Sequence, residues 1–156
     1  MELSAKEIKT LNELKDKSTK EFIADLTFLV TALHSKNTKD DDFIFIKDAY
    51  NVAKSENPDV VVMVSGPYIW KYREQIEKSD INFILNNDYT EEVEAAKTAL
   101  VENQKYDQIK DILKKIKSTW SAFNPVEQST IIKKIQKLVV SYAGYLGATK
   151  KLNGKN

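Results

Sequence analysis

His34 is the only histidine in this chain of 156 residues, and there is no cysteine. Histidine is the usual poised base of hydrolytic and transfer chemistry. Without cysteine there is no thiol nucleophile, no thiolate zinc site and no disulfide. His34 falls at the end of a predicted helix, where the dipole favours a cation, and a structural role is expected for it. No G-x-S-x-G elbow accompanies it. Phosphate cradles need glycines so that backbone N–H groups can approach the anion. The nearest candidate, Val64-Ser65-Gly66-Pro67, offers one glycine followed by a proline that lacks an N–H. Neither GxxxxGK nor GxGxxG occurs. Two acidic clusters, Asp40-Asp41-Asp42 and Asn86-Asn87-Asp88 with Glu91 and Glu92, lack the alternating ligands and turn glycine of a calcium loop. Both coincide with predicted helix starts, where carboxylates are favoured without a metal. The expectation is a non-enzymatic protein with no cofactor and no metal.

Charge is unevenly spread. Residues 1–104 carry a net −7 and residues 105–156 a net +8, for a total of +1. Lys110, Lys114 and Lys117 repeat at i, i+4, i+7, as Lys133, Lys134 and Lys137 do nearly, and Lys150 and Lys151 follow. If these surfaces converge, they make a patch able to contact phosphates. Against this, Asp107 and Asp111 lie within helical pairing distance of Lys110, Lys114 and Lys115. This half also has no arginine for bidentate phosphate or base contacts.

The elements that position these residues are helical. Only four glycines and three prolines argue against many tight turns. Ser4-Ala5-Lys6-Glu7 and Ser18-Thr19-Lys20-Glu21 read as capping boxes, predicting helices over 5–16 and 19–35 or one bent rod. Phe43, Ile46, Ala49, Tyr50 and Ala53 form a third stripe. Asn57-Pro58-Asp59 starts a short buried helix over 58–65, although Val60 to Val64 would suit a strand by propensity alone. Ser65-Gly66-Pro67 then predicts a sharp corner, with a new helix over 67–78. Ile81 to Leu85 forms a short helical turn, and Thr90 caps a helix with Val93, Ala96, Leu100 and Val101 on its apolar face. Tyr106 to Trp120 keeps helical spacing, and Asn124-Pro125-Val126-Glu127 opens the last helix. The fold class is therefore all-α: a compact single-domain bundle of about seven or eight helices over 1–148, with a polar lysine-bearing tail at 149–156.

After the predicted corner, Tyr68, Trp70, Tyr72 and Arg73 make an aromatic set beside the chain's only arginine. Trp70 and Arg73 are spaced to stack as a cation–π pair. Such a set is typical of interface hot spots, which makes these four residues interaction candidates, but a turn that is apolar all round favours core packing. Residues 66–89, through Pro67-Tyr68, Trp70, Tyr72-Arg73, Ile76, Asp80, Phe83 and Leu85-Asn86-Asn87-Asp88-Tyr89, resemble small uncharacterised helical proteins of large DNA viruses. The resemblance implies a viral or host-cytoplasmic setting and assigns no residue a role.

No apolar run approaches the roughly 18 residues of a membrane span, and the N-terminus lacks the apolar core of a signal peptide. An intracellular, soluble protein without membrane insertion is expected. Its function is read as protein–protein interaction or structure, with self-association and a viral role included. The alternative is accessory nucleic-acid binding through the basic C-terminal third.

Overall fold

A long antiparallel pair forms the spine of the molecule. The computed structural model describes residues 2–99 and 105–154. The order is α1 (Ala5–Ser35), α2 (Asp41–Glu56), α3 (Pro58–Lys71), α4 (Arg73–Glu77), α5 (Ile81–Asn86), α6 (Thr90–Ala99), α7 (Lys105–Thr119), a 3-10 turn (Trp120–Ala122) and α8 (Pro125–Leu152). There is no strand among the described residues, so the fold is all-α. Leu100 and Val101 lie outside the described residues, as do the side chains of Ala96, Tyr106 and Asp107.

The expected start signals hold at both ends of the spine. Ser4 and Glu7 cap α1 reciprocally, and Asn124 and Glu127 do the same for α8, each satisfying two orphan N–H groups. The second predicted box does not start a helix, because α1 runs unbroken through Ser18. Ser18 is buried, and its Oγ lies where a Cβ on Gly144 would come within 2.6 Å. Thr19 instead donates its hydroxyl to the Lys15 carbonyl. Small residues at this crossing let the two long helices approach closely, and that packing overrides the local capping preference. At the far end α8 continues through Leu152, so Lys150 and Lys151 occupy its last turn.

The core lies between α1, α3 and α8. Phe22, Val62, Leu138, Tyr142 and Tyr145 are buried together, with Ile69 and Trp70 packed against them. The predicted corner at Ser65-Gly66-Pro67 is absent: α3 passes straight through it, and the chain turns at Tyr72 instead. Two features allow this. Pro67 sits on the exposed side of α3, where water can reach the carbonyl that proline cannot serve. Gly66 faces inward against Tyr142, and a Cβ there would stand 2.0 Å from the ring. Here glycine permits close approach rather than ending a helix.

α2 packs on α1 and α3, and Tyr50 joins it to α1 by exchanging a 2.9 Å hydrogen bond with Thr27 and donating to the Ile23 carbonyl. α4 leans on α8, whereas α6 and α7 pack chiefly on each other. Replacing Gly66 by alanine is expected to destabilise the protein by about 1–3 kcal/mol through overpacking, despite alanine's better helix propensity. Gly147 in α8 has nothing within 4 Å of a built Cβ. Its replacement by alanine is expected to stabilise by up to about 1 kcal/mol. Urea unfolding of the two variants should give shifts of opposite sign.

Candidate functional site

Three of the four aromatic-segment candidates face the protein's own structure. Trp70 meets Tyr142 edge-on at 6.0 Å between centroids. Arg73 lies 4.6 Å over the Trp70 ring and donates from Nη1 to the Trp70 carbonyl at 2.8 Å, forming the predicted pair. Tyr72 packs against Tyr89 and Phe83, and its hydroxyl donates to Glu92 at 2.8 Å. Tyr68 alone points outward.

Tyr68 belongs to a stripe that the spacing expectations missed. On α3, Val62, Gly66 and Ile69 turn to the core, so Val60, Met63, Val64, Pro67 and Tyr68 share the opposite face. All five are exposed, Met63 at 55% and Val64 at 62%. α2, which packs on α3, has exposed apolar residues of its own, Phe45 at 71% and Val52. The missed signal was the valine run itself. Once Gly66 and Pro67 are kept inside the helix, residues 60–68 are apolar almost all round, and one face must lack an intramolecular partner.

Both acidic clusters are engaged by lysines. Lys115 reaches Asp40 and Asp42 at 2.9 Å each, and Asp40 also caps α2 by accepting from the Asp42 N–H. The Lys115 ammonium, by hydrogen bonding, holds both carboxyls below the usual aspartate range, and they in turn raise its own pKa. Lys71 bridges Glu91 at 2.6 Å and Glu92 at 3.1 Å. Burial pushes the Glu92 carboxyl up, but hydrogen bonds from the Tyr72 hydroxyl and Lys71 outweigh it, leaving the group below its ordinary value. No group of three or more acidic, histidine or cysteine side chains among the described residues is placed to hold a metal ion. His34 sits partly buried in the last turn of α1.

The lysines do not form one surface. Lys110, Lys114 and Lys117 line a cleft of about 640 Å³, together with Asp88, Asp111, Val93 and Leu113. Lys134 pairs with buried Asp25 of α1 at 3.5 Å and lies over the Phe28 ring, so it serves the spine. Lys133 and Lys137 are exposed on α8. Lys150 and Lys151 lie near its other end, about 25 Å along the helix from Lys133 at 1.5 Å per residue.

A second feature was not legible in the sequence. Between the spine, α5 and α7 lies a half-open cavity of about 280 Å³ lined almost entirely by apolar side chains. α7 also makes polar contacts with its surroundings: Lys115 to α2, Asn37 to Thr119 at 3.1 Å, and Lys117 to the Asn87 carbonyl. No helix among the described residues is long and apolar enough to cross a membrane.

Asp40 and Asp42 have depressed folded-state pKa values, so their contribution is present above the ordinary aspartate value of about 3.9 and is lost as pH falls through the folded values. Lys115→Met should therefore lower Tm at pH 7, and its gap to the wild type should close as pH falls below that range. Thermal melts at several pH values check this.

Comparison with known proteins gives no match, whether to a family model, a curated protein or a solved structure.

Proposed function

We propose that this is a non-enzymatic interaction protein that self-associates through the outer face of α3. The observation that carries the reading is the exposed stripe of Val60, Met63, Val64, Pro67 and Tyr68. Exposed apolar patches of this continuity mark interaction sites on soluble domains. An outward helical stripe at i, i+3, i+4, i+7 and i+8 fits a second helix laid along it. A second copy is the favoured occupant because none of the five residues is charged. A twofold-related copy can thus present the same stripe without opposing like charges. A usual interface needs about 800 Å² from each copy, more than the stripe alone supplies. Phe45 and Val52 are further exposed apolar residues on α2, a helix that packs against α3. We extend the proposal to a viral or host-cell setting, for which the resemblance read from residues 66–89 is the support.

The nucleic-acid alternative has weaker support. Lys134 is committed to buried Asp25 within the fold, and the other lysines are separated along α7 and α8.

Sedimentation equilibrium tests the self-association reading. The wild type is expected to show a concentration-dependent dimer in the micromolar range. Val64→Lys is expected to remain monomeric with an unchanged far-UV spectrum, because the substituted position is exposed. A wild type that stays monomeric throughout that range, or a Val64→Lys variant that dimerises as the wild type does, overturns it.

A further inference from the structure

The apolar cavity between the spine, α5 and α7 has the features of a small-molecule site rather than of a packing fault. Leu29 and Leu33 of α1, Ile84 of α5, Ile116 of α7 and Ile135 of α8 wall it, and Lys117 is the one charged residue among those lining it. An engineered apolar cavity of about 150 Å³ takes up benzene. A volume of about 280 Å³ is nearly twice that and has room for about ten carbon atoms.

The polar end of a ligand is specified as well. Leu113 and Lys117 line both this cavity and the cleft that Lys110 and Lys114 share with Asp88 and Asp111. The apolar space thus adjoins a lysine-bearing cleft, and Lys117 stands between them. The Lys117 ammonium has three donors. One goes to the Asn87 carbonyl while the group lies 5.4 Å over the Tyr89 ring, and no carboxylate among the described residues pairs with it. A cation beside an apolar chamber, with donors in hand, selects an amphipathic anion. The cavity is half-open, so a ligand can enter it from solvent.

We propose that the cavity binds a medium-chain carboxylate, its hydrocarbon body filling the space between α5, α7 and the spine and its acid group pairing with Lys117. This site is independent of the α3 face.

The test is calorimetric titration of the full chain with decanoate, decanol and decyltrimethylammonium, supported by thermal melts. Decanoate is expected to bind with a Kd of roughly 10–100 µM, in line with ligands of about a dozen heavy atoms, and to raise Tm. Lys117→Met keeps the apolar stem and removes the charge; it should weaken decanoate about tenfold and leave decanol unchanged. Ala32→Phe places a ring in the cavity and should abolish binding while circular dichroism remains helical. The proposal is overturned if decanoate does not bind, if the cationic analogue binds as tightly, or if Lys117→Met leaves decanoate affinity unchanged. Undiminished binding to folded Ala32→Phe would also refute it, by placing the ligand elsewhere. Should Ala32→Phe fail to fold, the decanoate–decanol difference in Lys117→Met still decides.

Discussion

The contact on which the rest of the molecule depends is the seating of α3 on the Tyr142 ring at Gly66. A Cβ at Gly66 would stand 2.0 Å from that ring, so the approach is available to glycine alone without a shift. Tyr142 in turn meets Phe22 at 6.4 Å, Trp70 at 6.0 Å and Tyr145 at 6.0 Å between centroids. One backbone-to-ring contact therefore sets the distance of α3 from the spine and its rotation about its own axis. That rotation sends Val62, Ile69 and Trp70 inward. It leaves Val60, Met63, Val64 and Tyr68 facing out. The proposed interaction face follows from how the core is packed.

The two ends of the bundle are built differently. Around Tyr142, apolar side chains of α1, α3 and α8 interdigitate, and Tyr145 secures the edge by donating its hydroxyl to Asp59 at 2.9 Å. At the other end, lysines carry the attachment: Lys115 ties α7 to α2, and Lys71 ties α6 to α3. Exposed ion pairs of this kind are individually weak, typically below about 1 kcal/mol. The α6–α7 end is thus tied by directional polar contacts, and the apolar cavity lies where α7 meets the spine.

Much of the architecture was legible because helix starts are written locally. Ser4 with Glu7, Asn57 with Pro58 and Asn124 with Glu127 act where the sequence places them. Ser18 and the Ser65-Gly66-Pro67 run carry the same kinds of residue and do something else. Ser18 is buried against Gly144, and Gly66 against Tyr142, across sequence separations of more than 70 residues that no local pattern encodes. The same limit applies to charge. Helical spacing put Lys110, Lys114 and Lys117 on one side of α7 correctly, but it could not show that Lys134 would be drawn to buried Asp25. The cavity had no signature at all, since the residues lining it read as ordinary core positions in four separate segments.

Because the chain has no cysteine, a single introduced thiol reports its neighbours without interference. Val64 on α3 and Val140 on α8 are comparably exposed, at 62% and 71%. Air oxidation of Val64→Cys and Val140→Cys, followed by non-reducing electrophoresis, therefore tests the α3 face directly. A stripe that meets its own copy across a twofold axis predicts rapid formation of a disulfide-linked dimer by Val64→Cys and slow, collision-limited crosslinking by Val140→Cys. Equal crosslinking rates for the two variants would contradict the central claim that the outer face of α3 is where copies of this protein meet.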